Sequence, residues 1–231
     1  MLRIKKMIVS DLHIGSAEFR AKLFLDTMRK YDYDELIIVG DLYEHENAIC
    51  ENHWDVVNYL HDVRKKIVYV EGNHDPIKNN IMAKLLGLEV LPEYHTQING
   101  RTVCFRHGHQ FDRLLFILSE PWLDNVVTKS FYSLQKMNIS PPWVTNCFTY
   151  SHKRLSSHFS RAAVRYAQRH GFDSIVCGHT HKPEEFVSSL KNNGEKIKYV
   201  NCGSWANGCC SCVIVDNAGT TKLKLVEEPS C

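Results

Sequence analysis

Short, continuously apolar runs recur along this chain, and each breaks off in polar residues of a particular kind. Lys6-Met7-Ile8-Val9-Ser10 ends in Asp11-Leu12-His13, and Glu35-Leu36-Ile37-Ile38-Val39 ends in Gly40-Asp41. Ile67 to Val70 ends in Gly72-Asn73-His74-Asp75, Thr102 to Arg106 in His107-Gly108-His109, and Ser174 to Cys177 in Gly178-His179-Thr180-His181. Runs this short and without alternation read as strands buried on both faces. Helical patterns over Glu18 to Lys30 and Glu51 to Arg64 separate the early ones, so the chain reads as α/β with a buried sheet. In such sheets the ligand crevice lies beyond the carboxyl ends of the strands, where these Asp, Asn and His residues would converge. Turn chemistry alone favours Ser, Gly, Pro and Asp there and gives no reason to place His at four of the five ends.

The residue types define the chemistry. Two carboxylates, one amide, at least four imidazoles and no thiolate suit a borderline-hard divalent ion such as Mn²⁺, Fe²⁺ or Zn²⁺, rather than Ca²⁺ or a sulfur-bound zinc. Seven ligands are too many for one tetrahedral site and fit two sites that share a carboxylate. Two such ions against two aspartates leave a charge of about +2, which a bridging hydroxide does not cancel. The centre therefore calls for an anionic substrate and an activated hydroxide, the two-metal arrangement for displacement at a phosphate ester.

Composition narrows the setting. The 231 residues suffice for one sizeable domain or two small ones, with 44% hydrophobic and 23% charged residues. A net charge of +2 gives no bulk basic field, so duplex nucleic acid is not the expected partner. The opening MLRIKKMIVSDLHIG holds no apolar stretch long enough for a secretory signal, and no run suits a membrane helix, so a cytoplasmic setting is expected. The nine cysteines then read as free thiols. Cys209, Cys210 and Cys212 are too closely spaced for zinc ligation and are read as small strand residues.

In their order, DLH, GD, GNHD, HGH and GHTH resemble the signature of the calcineurin-like metallophosphoesterases, and they span residues 11 to 181. The resemblance implies a four-layer αββα sandwich with two mixed sheets. It assigns Asp11, His13, Asp41 and His181 to one metal, and Asp41, Asn73, His107 and His179 to the other, with Mn²⁺ the favoured ion. His74 would be the acid or charge stabiliser facing the phosphate, and Asp75 would orient it. Glu44 is either a supporting acid or a solvated helix start, and His109 either meets substrate or borders the site.

The stretches SDLHIGS, GDLYE, HGHQFD and YVNCGSW look like the branch that includes UDP-2,3-diacylglucosamine diphosphatase. That likeness implies a single domain, 1–231, carrying a helical cap insertion at 112–170 that takes up acyl chains. Leu114 to Trp143 is rich in large apolar groups, Trp122 and Phe131 among them, and packing onto the sandwich is the competing reading. A helix is expected from Ser151 to Arg169. Arg161, Arg165 and Arg169 form a stripe on it, either solvated or gripping phosphate. Two positions depart from the branch: His74 stands where Arg is common, and HGH where His-Gly-Asp is. The expected activity is a dinuclear-metal phosphoesterase or pyrophosphatase acting on a phosphorylated small molecule or lipid-linked substrate, with peripheral membrane contact. A nuclease or cyclic-nucleotide phosphodiesterase is the rival enzyme, and a binding scaffold on the same fold the rival of another class.

Overall fold

The computed structural model describes residues 1–44, 51–75, 77–78, 80–112, 157–192, 194–206 and 209–226. The chain divides into two compact units, one formed by Met1–His107 with Val164–Cys231 and the other by Gly108–Ala163. The first eight strands are β1 (Leu2–Arg3), β2 (Lys6–Val9), β3 (Tyr31–Asp32), β4 (Glu35–Val39), β5 (Lys66–Val70), β6 (Val90–Leu91), β7 (Tyr94–Ile98) and β8 (Arg101–Phe105). They are followed by β9 (Ser174–Cys177), β10 (Glu184–Asn192), β11 (Glu195–Asn201), β12 (Ser211–Val215) and β13 (Thr221–Leu225). The helices are α1 (Ala21–Lys30), α2 (Glu51–Asp62), α3 (Ile81–Leu86) and α4 (157–170).

Two mixed sheets result. The six-stranded sheet runs β13-β12-β2-β4-β5-β6, and the five-stranded sheet runs β10-β11-β9-β8-β7. β2, β4, β5 and β6 are parallel neighbours, as are β8, β9 and β11, while the outer strands β10, β12, β13 and β7 pair antiparallel.

Residue parity explains why these strands are apolar without alternation. Met7, Val9, Leu36, Ile38 and Tyr69 join Leu23, Phe24, Met28, Val56 and Leu60 of α1 and α2 in one core. Their neighbours Ile8, Ile37, Val39, Val68 and Val70 point the other way. They form a second core with Ile98, Val103, Phe105, Val176 and Val200 of the five-stranded sheet. The sheets therefore pack face to face, and each central strand is covered on both sides. On the outer face of the five-stranded sheet the Tyr166 hydroxyl of α4 donates to Glu93 at 2.7 Å and accepts from Arg106 at 2.7 Å. The order is helices, sheet, sheet, helix, which is the expected four-layer α/β sandwich.

Local capping sets the element ends. Asn80 Oδ1 accepts from Ala83 N at 2.8 Å to start α3, and Gly87 closes it at φ 66°. The second unit begins at Gly108, near the start of the expected insertion. Leu114 to Trp143, with Trp122 and Phe131, lie outside the described residues. Of the expected helix from Ser151, residues 157–170 are described as helical, and Phe159 and Ala163 on it are buried. Among the described residues Cys104, Cys177, Cys202, Cys209, Cys210 and Cys212 are free thiols, and all but Cys209 are buried.

Candidate metal centre

Each expected ligand stands just past the carboxyl end of a strand. Asp11 and His13 follow β2, Asp41 follows β4, Asn73 follows β5, His107 follows β8, and His179 and His181 follow β9. Five of them turn with positive φ: Asp11 at 52°, His13 at 51°, Asp41 at 52°, His179 at 69° and His181 at 54°. Each such turn costs a non-glycine residue roughly 1 kcal/mol, and strain of this kind concentrates at functional sites. Room is tight around them. A Cβ on Gly178 would lie 1.8 Å from Ser10 Oγ and 2.3 Å from Asp11 Oδ2, which explains the glycine before His179.

The turns bring the donor atoms together across the two sheets. Asp11 Oδ1 lies 3.1 Å from His181 Nε2, and His13 Nε2 is also 3.1 Å from His181 Nε2. Asp41 Oδ2 is 3.2 Å from His107 Nε2 and 3.9 Å from His13 Nε2. Asn73 Oδ1 sits 3.1 Å from His107 Nε2 and 3.0 Å from His179 Nδ1. Two donors at right angles, each about 2.1 Å from one ion, would stand about 3.0 Å apart. The sets Asp11–His13–His181, Asp11–Asp41–His107 and His13–Asp41–His74 each have one donor atom per residue close enough to share an ion.

Partners behind the rings fix which nitrogen faces inward. His107 Nδ1 donates to Val39 O at 2.8 Å, which leaves Nε2 toward Asp41 and Asn73. Glu44 does the same for a second ring: its Oε2 is 2.7 Å from His13 Nδ1, and its Oε1 is 3.1 Å from His74 Nδ1. One carboxylate thus holds an expected ligand and the expected acid together, so Glu44 supports the site rather than starting a helix in solvent. Asp75 requires a correction. It does not orient His74. Its carboxylate accepts from Gly72 N at 2.9 Å, Asp41 N at 3.0 Å and Leu42 N at 2.5 Å, and from the Tyr69 hydroxyl. Being next to His74 in sequence, it is turned inward by its backbone contacts and ties the end of β5 to the end of β4.

His109 opens a short 3₁₀ turn, His109–Phe111, in the second unit. Arg161, also there, spends its guanidinium on its own helix, donating to Ser157 O at 2.9 Å and Ser157 Oγ at 3.1 Å. Arg165 is exposed on α4.

The model of one protein family, described as calcineurin-like phosphoesterase, matches residues 4–183, which spans the whole donor set. The chain belongs to that family. It is accordingly a metal-dependent phosphoesterase. It is 23% identical to a UDP-2,3-diacylglucosamine hydrolase of Stenotrophomonas maltophilia (strain K279a), over 86% of this chain and 90% of that one. It is 25% identical to a protein of the same name from Vibrio atlanticus (strain LGP32), over 87% and 90%. Among solved structures it resembles the E. coli phosphoesterase Yfce, with a TM-score of 0.50, 20% identity and coverage of 97% and 100%. It also resembles a hypothetical protein of Pyrococcus horikoshii OT3, with a TM-score of 0.52, 10% identity and coverage of 99% and 89%. At these identities the structural likenesses speak for the fold alone.

The electrostatics of this phosphoesterase suit the family's divalent ions. Asp11 and Asp41 are almost wholly buried, at 0% and 1% exposure. Burial opposes the charge on Asp11, but His107 and His181 outweigh it and hold its pKa below the ordinary value. Asp41 is likewise depressed against burial, chiefly by His107. In return burial disfavours the charged His107, and Asp41 and Asp11 nonetheless raise it to about 10. Two buried carboxylates thus face imidazoles whose charged forms they favour, and a divalent cation would supply that positive charge in place of the protons. Burial also opposes the charge on His74, yet the Glu44 bond and Asp41 raise it to about 9. Glu44 is lowered to about 2, its burial overcome by His13 and His74. Oxygen and nitrogen donors with two carboxylates fit the group the family requires.

Proposed function

We propose that this chain is a dinuclear-metal phosphohydrolase that cleaves the diphosphate of a UDP-sugar-linked lipid, of which UDP-2,3-diacylglucosamine is the type, in the cytoplasm. The observation that carries the dinuclear reading is Asp41, whose Oδ2 faces His107 Nε2 at 3.2 Å on one side and His13 Nε2 at 3.9 Å on the other. Asp11, His13, Asp41 and His181 would hold one ion, and Asp41, Asn73, His107 and His179 the other. Divalent ions bound there supply positive charge against the phosphoryl oxygens and acidify water. Mn²⁺ is the favoured ion, with Fe²⁺ and Zn²⁺ the nearest alternatives for such donors. His74 stands at the exposed rim with its Nδ1 on Glu44, so its other nitrogen is free to hold a proton toward the phosphate. Arg165 and the aromatic groups Trp122 and Phe131 are assigned to the diphosphate and the acyl chains.

The lipid assignment is supported by the curated relatives, which carry that activity in their name and match 86–87% of this chain. Among the described residues no helix is long and apolar enough to cross a membrane. A two-metal centre accepts many phosphates, and selection must come from its surroundings. Each buried methylene is worth about 0.8 kcal/mol, so four methylenes of difference change binding by roughly two orders of magnitude. The test is kcat/KM on a UDP-sugar diphosphate with long acyl chains and on one without them, repeated in Trp122→Ala and Phe131→Ala. A strong preference for the acylated form that both substitutions shrink supports the reading. Equal rates in the parent enzyme sink it and leave a phosphoesterase of another substrate class.

A further inference from the structure

The expected ligands come from two sheets, and one loop crosses from sheet to sheet beside them. That loop leaves β11 of the five-stranded sheet at Asn201 and reaches β12 of the six-stranded sheet at Ser211. Asn201 is fully buried. Its Nδ2 donates to Gly178 O at 2.7 Å and to Thr180 Oγ1 at 3.1 Å, on either side of His179, with the Tyr199 hydroxyl 3.2 Å away. Its Oδ1 accepts from Gly203 N at 3.0 Å. Three residues on, Ser204 Oγ lies 3.0 Å from Asp11 O and 2.6 Å from Ala206 O, sharing one proton between them. Trp205 N donates to the same Asp11 carbonyl at 3.0 Å.

These bonds close a circuit. The His179 backbone N–H donates to both oxygens of the Asp11 carboxylate, at 3.1 and 3.0 Å. The loop therefore grips Gly178 and Thr180 with one residue and Asp11 with two others, and the gripped segments are bonded to each other through His179 and Asp11. Apart from Cys202 N, which donates to Cys177 O at 2.8 Å, these contacts do not extend a strand ladder. They end on the backbone and hydroxyl groups that flank left-handed residues, namely Asp11, His179 and His181. A residue held at positive φ relaxes unless its neighbours over-determine it. In Asp11 and His181 the contact at stake is the 3.1 Å approach of Oδ1 and Nε2 across the sheet boundary.

We propose that Asn201 and Ser204 are positioning residues that fix the cross-sheet geometry of the metal centre, holding Asp11, His179 and His181 in their strained conformations. Neither acts on the substrate. The proposal rests on the metal-binding reading given above. Loss of a group that orients a metal ligand typically weakens metal affinity by about 10–100-fold.

The experiment compares the full chain with Ser204→Ala and Asn201→Ala, and with Met28→Ala, a buried α1 residue outside the site whose loss destabilises the fold. Mn²⁺ binding is measured by titration calorimetry and by electron paramagnetic resonance. Melting of the metal-free proteins and Mn²⁺-dependent turnover of a chromogenic phosphodiester are recorded alongside. The expected result is an Mn²⁺ dissociation constant raised by about tenfold or more in Ser204→Ala and Asn201→Ala, a changed resonance spectrum, and most of the parent turnover regained at saturating Mn²⁺. Met28→Ala should melt earlier yet bind Mn²⁺ like the parent. Should Asn201→Ala fail to fold, Ser204→Ala, which deletes a single hydroxyl, decides alone. Parent-like Mn²⁺ affinity in Ser204→Ala overturns the proposal, as does an equal loss of affinity in Met28→Ala. A parent that binds no divalent ion overturns the metal reading itself, and this proposal with it.

Discussion

Gly72→Ala isolates a close backbone approach beside Asp41. The Gly72 backbone lies outside the left-handed region, so alanine is conformationally acceptable there and only its added carbon matters. That Cβ would stand 2.0 Å from Asp41 Oδ1, 2.3 Å from Asp41 N and 2.6 Å from Asp75 Oδ1. Reaching even 3.0 Å from Asp41 Oδ1 requires about 1 Å of movement. Asp41 has little freedom to supply it. Its N–H is bonded to Asp75 Oδ1 at 3.0 Å, and its Oδ1 accepts from His74 N at 2.9 Å. The strain must displace the carboxylate proposed to bridge both ions, the turn that carries Asn73 and His74, or both. A displacement of about 1 Å at a reacting centre costs about 10²-fold in rate. Overpacking of this kind also costs about 1–3 kcal/mol in stability, at about 2–4 °C of Tm per kcal/mol for a chain of this size. The assay is Mn²⁺ stoichiometry, turnover of a chromogenic phosphodiester, and thermal melting. Gly87→Ala serves as the control: its Cβ would meet nothing within 4 Å, and its φ of 66° confines the cost to roughly 1 kcal/mol of backbone strain. Parent-like metal content and turnover in Gly72→Ala, with the control normal, would refute the placement of Asp41 against Gly72 and its bridging role together.

Asp41→Asn should lower occupancy at both metal positions and abolish most turnover, because a neutral amide cannot offset two cations; elemental analysis of the purified variant reads this directly. His74→Ala should cut kcat by about 10²–10⁴ with metal content kept, and loss of metal on that change would instead make His74 a ligand. Glu35 supplies a pH test away from the site: burial opposes its charge, but its bonds to Lys6 and Lys66 prevail and hold its pKa below the ordinary 4.5. Its contribution is therefore complete above pH 4.5 and lost as pH falls through the folded value, so Glu35→Gln should lower the urea midpoint at neutral pH and flatten the acid limb.

The strands that carry ligands were legible because they are buried on both faces and end in residues that turn chemistry does not require. β4 and β9 begin and end as the apolar runs do, β2 and β5 differ by a residue at one end, and β8 lies one residue earlier at both. What escaped was amphipathic or short. β7, Tyr94–Ile98, alternates half-buried and exposed positions at a sheet edge, although Asn99 at φ 52° and Gly100 at φ 75° form the turn into β8 that an Asn-Gly pair announces. α3 has six residues, too few for a helical period to stand out. The error over Asp75 has a specific cause. Adjacency to His74 suggested a pair, but the Asp75 carboxylate is taken up by the Gly72, Asp41 and Leu42 N–H groups, and the carboxylate that reaches His74 comes from Glu44, thirty positions earlier in the chain.

Reaction class and substrate were legible to different degrees for a related reason. A ligand set announces itself because residue type and position at a strand end are both local. The left-handed turns at Asp11, His13, Asp41, His179 and His181 leave no such trace, since Asp and His tolerate that conformation in many settings. The loop that sustains them does show, as the stretch YVNCGSW, but what Asn201 and Ser204 bond to becomes visible only when the two sheets are stacked. Five strained turns at roughly 1 kcal/mol each would relax one by one in a free loop. Here Asp75 ties Asp41 to Gly72, Glu44 ties His13 to His74, and Asn201 ties the two sides of His179. Each tie joins segments distant in sequence, so the donor geometry belongs to the packed pair of sheets rather than to any motif within it. In a centre tied this way, substitutions at the ties should be read first in metal affinity and only afterwards in turnover.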